Sequence, residues 1–302
     1  MPADKSLEKS ALFVTTLTSF IGPFTISSVN VALPTIQAEF SADAVLLSWV
    51  PTSFLLAMAV FLVPFGKAAD IYGRKKIFTW GLILYTFSSF LAVFSYSIKI
   101  LIVMRILQGF GSAMSVTTGM AILTSVFAPS KRGRAIGIYV SAVYIGLSVG
   151  PFAGGFLARY LGWRSIFAVV VPFGAACVLI TIRYLKGEWA DARGEKLDIG
   201  GSVLYGFSIL VLVYGASLLP QRVAVYLIVS GLAGLALFIR LEMSVRYPVF
   251  EVRLFKQNTL FTFSSLAALI NYSATFALTF LLSLYLQYIK NIPPQYAGSI
   301  LI

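Results

Sequence analysis

The sequence predicts an all-α membrane protein, and three observations predict it. The 302 residues are 59% hydrophobic and only 11% charged, whereas a soluble domain carries about 25% charged residues. Apolar runs recur between short polar breaks, and each is about 20 residues long, enough to cross a bilayer as a helix. Basic residues collect in every second break. Because one water-soluble core cannot hold so many apolar side chains, the lipid bilayer must solvate the remainder.

Nine of the apolar runs are predicted to span the membrane. They lie near residues 11–36, 46–65, 77–97, 100–127, 134–158, 165–185, 200–219, 223–241 and 259–289. A tenth run begins after Pro293 and Pro294 and stops at Ile302, so we expect a chain that is truncated within a helix. The polar N-terminus leads into the first run without a clear small-residue cleavage site, which predicts an uncleaved first span.

The distribution of lysine and arginine predicts the orientation. One set of breaks holds seventeen of the 23 basic residues, the alternating set holds five, and Arg105 falls within a span. By the positive-inside rule the first set is cytoplasmic. We therefore expect a multi-pass protein of the plasma membrane with a cytoplasmic N-terminus. The net charge of +12 then reflects this alternation, whereas a nucleic-acid partner would require basic residues on one folded face.

Residue types that carry metal, disulfide or hydrolytic chemistry are scarce. The sequence has no histidine, and its single cysteine, Cys177, lies in an apolar run. No internal disulfide, metal site or cofactor is therefore predicted. Residues 146–150 match the hydrolase pattern G-x-S-x-G, but no histidine exists to activate the serine and the strand–turn–helix context is missing. The sequence predicts a protein that is not an enzyme.

The break between the second and third runs, residues 66–76, reads Gly-Lys-Ala-Ala-Asp-Ile-Tyr-Gly-Arg-Lys-Lys. We name it the signature segment and expect a tight, charged loop at one membrane face. Gly66 and Gly73 allow close backbone approach or a positive φ. Asp70 and Arg74 are spaced to pair across one helical turn, and Asp70 could also sit at a helix N-terminus. An ordinary basic loop is the alternative interpretation.

The fourth span contains Arg105, followed by Gln108 and Gly109. An arginine in the hydrocarbon core costs at least about 2.5 kcal/mol on the insertion scale, so Arg105 must face protein or a wet cavity. Gln108 lies three residues further on and shares its helical face. The alternative is an arginine that snorkels to the external interface, because Lys99 is only six residues away.

The fifth span contains a regular glycine pattern. Gly146, Gly150 and Gly154 recur every four residues and predict a flat face for close helix contact. Pro151 removes a backbone donor and bends the helix beside that face, and Gly155 follows. A bend next to a flat face favours a contact at which two helices rock.

These three segments resemble motifs of the major facilitator superfamily. Residues 66–76 resemble its signature loop, which implies a cytoplasmic latch that contacts the opposite half of the transporter, with roles for Gly66, Asp70, Gly73 and Arg74. Residues 105–113 resemble a motif that implies a cavity-lining arginine in proton coupling, with roles for Arg105, Gln108 and Gly109. Residues 146–155 resemble a motif typical of drug antiporters, with roles for Gly146, Gly150, Pro151, Gly154 and Gly155.

Residues 29–34 resemble the signature of the fourteen-helix drug/proton antiporters, which usually carry an aspartate where this chain has Thr25. All 11 acidic residues are predicted to lie in tails and loops, although proton antiport normally needs a titratable group within the membrane. Either that group lies outside this chain or coupling differs from the family pattern. An unopposed Arg105 would favour neutral or anionic substrates.

Polarity and depth select the candidate pocket residues Thr25, Asn30, Tyr144 and Asn271. For Asn271 a helix–helix hydrogen bond is the favoured alternative.

The resemblance implies the facilitator fold, in which 3+3 inverted repeats build each six-helix bundle. Residues 1–185 would form the first bundle, residues 186–257 a charged linker with two further helices, and residues 258–302 the incomplete start of a second bundle. The predicted function is export of amphipathic small molecules by alternating access, driven by protons. The alternatives are uptake or exchange of a neutral or anionic metabolite, and a remnant that does not transport.

Overall fold

The computed structural model describes residues 5–293 together with residues 296 and 300, and this part of the chain contains helices and no strand. The helices are α1 (Lys5–Phe40), α2 (Ala44–Tyr72), α3 (Arg74–Val93), α4 (Ile98–Val126), α5 (Pro129–Tyr160), α6 (Arg164–Tyr184), α7 (Ile199–Ser217), α8 (Arg222–Glu242), α9 (Leu254–Gln257) and α10 (Thr259–Leu284). Within the described ranges, nine helices are long and apolar enough to cross a membrane. They correspond to the nine predicted spans, so the all-α membrane fold class is confirmed. The predicted tenth span lies largely outside the described residues.

Helices α1 to α6 pack into one bundle. Helix α1 packs along α5, α2 along α4, and α3 against both α4 and α6. Small residues allow these approaches, as is usual between membrane helices. A Cβ added at Gly111 of α4 would lie 2.7 Å from the carbonyl oxygen of Gly81 in α3. The helices therefore meet backbone to backbone, and larger side chains fill the spaces on either side.

Each end of the bundle is closed by ion pairs. We name one end, at which α1, α3 and α5 begin, the basic face. There Lys131 of α5 lies 3.1 Å from Glu8 of α1. At the opposite face Arg164 lies 2.7 Å from Glu39 and donates to the Ser95 carbonyl at 2.7 Å. Helices α1, α3 and α6 are thereby joined at that end.

The signature segment is helical over most of its length, so the predicted loop is wrong in extent. Helix α2 continues to Tyr72, and only Gly73, with φ +117°, separates it from α3. At 29 residues, α2 is roughly 44 Å long and exceeds the roughly 30 Å hydrocarbon core. Its last turn therefore carries charged residues outside the apolar layer without leaving the helix. Asp70 lies in that last turn, not at a helix N-terminus.

Helices α7 and α8 form a hairpin, and α7 packs against α2. The Tyr205 hydroxyl donates to the Ala59 carbonyl at 3.1 Å. A Cβ at Gly206 would lie 2.9 Å from Cγ1 of Val60. Towards the opposite face the rings of Trp49 and Tyr214 lie 6.1 Å apart. Contacts therefore follow α7 along much of α2.

Helix α10 continues as a π-helical turn, Tyr285–Ile289, and is largely exposed. The Tyr288 hydroxyl donates to Gln37 of α1, and Phe280 packs against the core. Asn271 is exposed and forms no hydrogen bond with another described residue. The favoured helix–helix hydrogen bond at Asn271 therefore has no partner among the described residues and stays a prediction.

The prediction that every acidic residue lies in a tail or loop is also wrong in detail. Glu8 lies in the first turn of α1, and Glu39, Asp70 and Glu242 lie in the last turns of α1, α2 and α8. Glu242 is buried and accepts a hydrogen bond from the backbone N–H of Phe250 at 2.9 Å. All four lie at helix ends, so the middles of the described spans carry no carboxylate.

Candidate functional site: a buried arginine network and two helix contacts

Arg105 is fully buried inside the bundle, with 0% of its surface exposed. Its Nε donates to the Val50 carbonyl at 3.2 Å, and its Nη1 donates to Oε1 of Gln108 at 2.9 Å. The guanidinium also lies 4.3 Å from the centroid of the Phe54 ring. The predicted shared face of Arg105 and Gln108 is confirmed. The snorkelling alternative is wrong, because a snorkelling side chain would be exposed.

A chain of hydrogen bonds continues from Arg105 into α3. Gln108 Nε2 donates to Oγ of Ser89 at 2.7 Å, and Ser89 donates to the Tyr85 carbonyl at 2.7 Å. Tyr85 itself lies beside Arg105 and beside Thr25 of α1. We name Arg105, Gln108, Ser89, Tyr85 and Thr25 the arginine network. Its hydrogen bonds join α3 to α4, and Arg105 extends them to α2. Thr25 lies beside Tyr85, but its hydroxyl donates to the Ile21 carbonyl of its own helix.

The positive charge in this network has no carboxylate partner among the described residues. Carbonyl oxygens and the face of an aromatic ring take that place, both of which attract a cation. Nη2 of Arg105 has no hydrogen-bond partner in the described part of the chain. The arrangement therefore holds a fixed positive charge with unused donor capacity in the interior of the bundle.

Gly109 explains why Arg105 reaches α2. It contacts the Phe54 carbonyl, and a Cβ added there would lie 2.9 Å from Cβ of Ala57. Helices α2 and α4 can therefore approach closely at this level. One turn earlier on α4, Arg105 then meets the Val50 carbonyl and the Phe54 ring.

The glycines of α5 form the contact with α1, which we name the α1–α5 seam. A Cβ at Gly146 would lie 2.6 Å from the Phe20 carbonyl oxygen, and one at Gly154 would lie 2.5 Å from Cα of Ser28. Gly150 contacts Ser27 in the same way. The predicted flat face is confirmed. Pro151 and Gly155 are buried in the uninterrupted helix.

Serine hydroxyls cross the α1–α5 seam. The Ser28 hydroxyl donates to the Gly150 carbonyl at 2.9 Å, and the Ser27 hydroxyl lies 3.3 Å from the Gly146 carbonyl. The two backbones are therefore joined by polar contacts at the level of the α5 glycines.

The signature segment places Arg74 among three acceptors. Its Nε and Nη2 donate to Oδ1 of Asp70 at 2.9 and 2.7 Å, so the predicted pair is confirmed. Nη1 donates to Ser125 of α4, and Nη2 also reaches Asp191 beyond α6, both at 2.7 Å. Gly73 has the positive φ that was expected, and a Cβ added at Gly66 would lie 4.0 Å from Cγ2 of Thr117 in α4.

The four candidate pocket residues do not form one pocket. Thr25 and Asn30 are buried inside the bundle, and Thr25 belongs to the arginine network. Tyr144 is 43% exposed on α5 and interacts with Tyr272 of α10. The sequence analysis did not identify Tyr85 and Ser89, which belong to the arginine network, or Asp191, which pairs with Arg74. Adjacent serines in the third apolar run were the one signal for Ser89.

Comparison with known proteins gives one family. The family model described as Major Facilitator Superfamily matches residues 15–302. The riboflavin transporter RibZ of Clostridioides difficile (strain 630) is 32% identical over 275 residues, which cover 91% of this chain and 60% of that protein. The multidrug resistance protein Stp of Mycobacterium tuberculosis (strain CDC 1551 / Oshkosh) is 32% identical over 276 residues, which cover 89% of this chain and 51% of that protein. The methylenomycin A resistance protein of Bacillus subtilis (strain 168) is 30% identical over 285 residues, which cover 92% of this chain and 60% of that protein.

Solved structures share the fold. A bacterial homologue of the human lysosomal transporter Spinster aligns with a TM-score of 0.50 at 20% identity, over 79% of this chain and 62% of that chain. The peptide transporter POT in complex with sulfate aligns with a TM-score of 0.52 at 15% identity, over 70% of this chain and 46% of that chain. The chain spans between 51% and 60% of the length of the three curated relatives. With nearly its whole length matched by the family model, the chain belongs to the Major Facilitator Superfamily.

Proposed function

We propose that this chain carries the first part of an exporter of amphipathic small molecules that works by alternating access and is driven by the proton gradient. In this proposal residues 1–185 are the first bundle, residues 186–257 the linker with two further helices, and residues 258–302 the start of a second bundle. This is the layout of the fourteen-helix drug antiporters. Two of the three relatives above are named for drug resistance, which supports export.

The α1–α5 seam is the observation that carries the proposal. Its glycines let the backbones of α1 and α5 approach closely, and two serine hydroxyls of α1 reach carbonyls of α5. Alternating access in this fold is largely rigid-body rocking of one bundle against the other. Such a seam keeps α1 and α5 together, so that the first bundle can move as one rigid body. The pattern of Gly146, Gly150, Pro151, Gly154 and Gly155 also resembles the drug-antiporter motif, which favours export over uptake.

The proposed orientation places the basic face in the cytoplasm and the chain in the plasma membrane. The excess of lysine and arginine at that face supports it. The signature segment then lies on the cytoplasmic side, where Gly66, Asp70, Gly73 and Arg74 would act as the latch. Tyr144 and Asn271, both exposed, remain the candidates for contact with a substrate.

Arg105 is the proposed coupling residue, with Gln108 and Gly109 holding it in place. A permanently charged guanidinium cannot carry the proton itself. Its free Nη2 can instead stabilise a neighbouring group in its deprotonated form, and its field disfavours cationic substrates. We therefore expect neutral or anionic amphipathic molecules to be the better substrates.

Substitution of Arg105 tests the proposal. Bacteria that lack their own exporters would express the protein and be loaded with Nile red, a neutral amphipathic dye. We expect Arg105→Ala to abolish dye efflux at a normal membrane level of protein, because no other described side chain supplies that charge. Lys99→Ala is the matched control, since Lys99 is exposed on the same helix, and it should leave efflux unchanged. Undiminished efflux from Arg105→Ala would refute the role of Arg105.

A second candidate function is uptake or exchange of a neutral or anionic metabolite. The name of the riboflavin transporter relative and the Thr25 position, which lacks a carboxylate, favour it. Radiolabelled riboflavin separates the two functions: uptake predicts its accumulation in expressing cells, and export predicts faster loss from preloaded cells. A chain that reaches the membrane but changes neither riboflavin nor Nile red content would instead support the non-transporting remnant.

A further inference from the structure

The residues that follow α6 are docked on the signature segment. We name residues 188–195 the brace. Two backbone hydrogen bonds join it to the end of α2 and the start of α3. The Arg74 N–H donates to the Trp189 carbonyl at 2.8 Å, and the Ala192 N–H donates to the Asp70 carbonyl at 2.9 Å. The Trp189 side chain packs against the core of the bundle.

Glu188 caps α3. Its carboxylate accepts hydrogen bonds from the backbone N–H groups of Lys75 at 2.8 Å and Lys76 at 3.1 Å, in the first turn of that helix. The N-cap residue itself, Gly73, has no side chain to do this. A carboxylate is favoured at this position by the free N–H groups and by the helix dipole. A Cβ on Gly73 would lie 2.6 Å from Oε1 of Glu188, so the glycine also makes room for the cap.

Two ion pairs complete the docking. Asp191 lies 2.7 Å from Nη2 of Arg74, and Glu195 lies 2.6 Å from Nζ of Lys67. Arg74 is thus shared between Asp70 in its own segment and Asp191 in the brace. Isolated exposed ion pairs contribute little. Here they act together with a helix cap and two backbone hydrogen bonds on one short segment.

We propose that Glu188, Asp191 and Glu195 are positioning residues that hold Arg74 and the start of α3 in place through the brace. The inference rests on the proposed transport function, in which Asp70 and Arg74 form the cytoplasmic latch. The latch must engage and release in every cycle, so a loosened brace changes the rate of that cycle. The brace does not touch the candidate substrate residues, so apparent substrate affinity stays unchanged.

Hydrogen–deuterium exchange of the whole protein in lipid nanodiscs tests the docking without transport. The amides of Arg74, Lys75 and Ala192 should be protected. Glu195→Lys and Lys67→Glu should each increase their exchange about tenfold, which corresponds to roughly 1.4 kcal/mol of local opening. The double variant Lys67→Glu/Glu195→Lys restores the pair and should return exchange to the wild-type rate. Lys196→Glu is the matched control, because Lys196 is exposed and has no ion-pair partner among the described residues.

Nile red efflux from the same variants tests whether loosening the brace changes the rate of the transport cycle. Each single reversal should lower the maximal rate several-fold, leave the half-saturating dye concentration unchanged, and be rescued by the double reversal. Unprotected amides, or faster exchange with an unchanged maximal rate, would overturn the inference. A wild-type protein that moves no dye would instead defeat the proposed function, and the exchange data and rescue alone would then decide whether the brace positions Arg74.

Discussion

At the residue scale, the central feature is a buried arginine without an ion-pair partner in the described part of the chain. A charge in the membrane interior is costly, and Arg105 offsets that cost through the Val50 carbonyl, Gln108 and the Phe54 ring. The sequence alone predicted that Arg105 faces protein or a wet cavity and shares a face with Gln108. Its contacts on α2 could not be predicted, because they depend on how far α2 and α4 are shifted along each other.

The arginine network predicts unequal roles for two adjacent serines of α3. Ser89 accepts the hydrogen bond from Gln108, whereas Ser88, equally buried, bonds only to carbonyls of its own helix. We expect Ser89→Ala to lower the free energy of unfolding by about 0.6–1.7 kcal/mol, the range for hydrogen bonds between membrane helices. Ser88→Ala is the matched control and should have the smaller effect. Thermal unfolding of the purified protein in detergent measures both, and equal losses would contradict the network.

At the element scale, two helix contacts define the architecture: the α1–α5 seam and the contact of α7 with α2. Glycines at every fourth residue of α5 predicted a flat face, because that spacing follows one side of a helix. The sequence did not identify α1 as the partner. The helical part of the signature segment was missed for a different reason. Charged residues end an apolar run in the sequence, but they do not end a helix that extends beyond the membrane.

Glycine-to-alanine substitutions in α5 should have opposite effects at two positions. Gly150 contacts Ser27 of α1, so Gly150→Ala forces the α1–α5 seam apart and should be destabilising by about 1–3 kcal/mol. Gly137 of the same helix has open space around it. Gly137→Ala should therefore stabilise the protein by about 0.5–1 kcal/mol through helix propensity. Melting temperatures of the two variants give the test, and a stabilised Gly150→Ala protein would rule out the close contact.

The contact of α7 with α2 predicts a disulfide. A Cβ at Gly206 lies 2.9 Å from Cγ1 of Val60, which is compatible with disulfide geometry. In a Cys177→Ala background, Val60→Cys/Gly206→Cys should lose both free thiols on mild oxidation, measured by maleimide labelling of the denatured protein. The control pair is Val60→Cys with Gly215→Cys, because Gly215 faces α8. Its two thiols should remain free, and the reverse pattern would show that α7 presents a different face to α2.

At the scale of the whole molecule, the chain has two faces with different ionic contacts and an apolar surface between them. Ion pairs join α1 to α5 and α2 to the brace at the basic face, and Glu39 joins α1 to α6 at the other. The alternation of basic breaks predicted these two faces, since it reports directly which helix ends share a side of the membrane. The individual pairs depend on side-chain geometry, and Asp70 with Arg74 was predicted only because both lie on one helix turn.

Labelling of single cysteines from outside the cell tests the central claim, a chain that crosses the membrane in alternating directions with its basic face inside. Tyr96 and Ser130 are exposed at opposite faces, and each is replaced by cysteine in a Cys177→Ala background. A membrane-impermeant maleimide should label Tyr96→Cys in intact spheroplasts and Ser130→Cys only after permeabilisation. Labelling of both cysteines from the same side, or of Ser130→Cys alone, would contradict the threading and the orientation proposed for this protein.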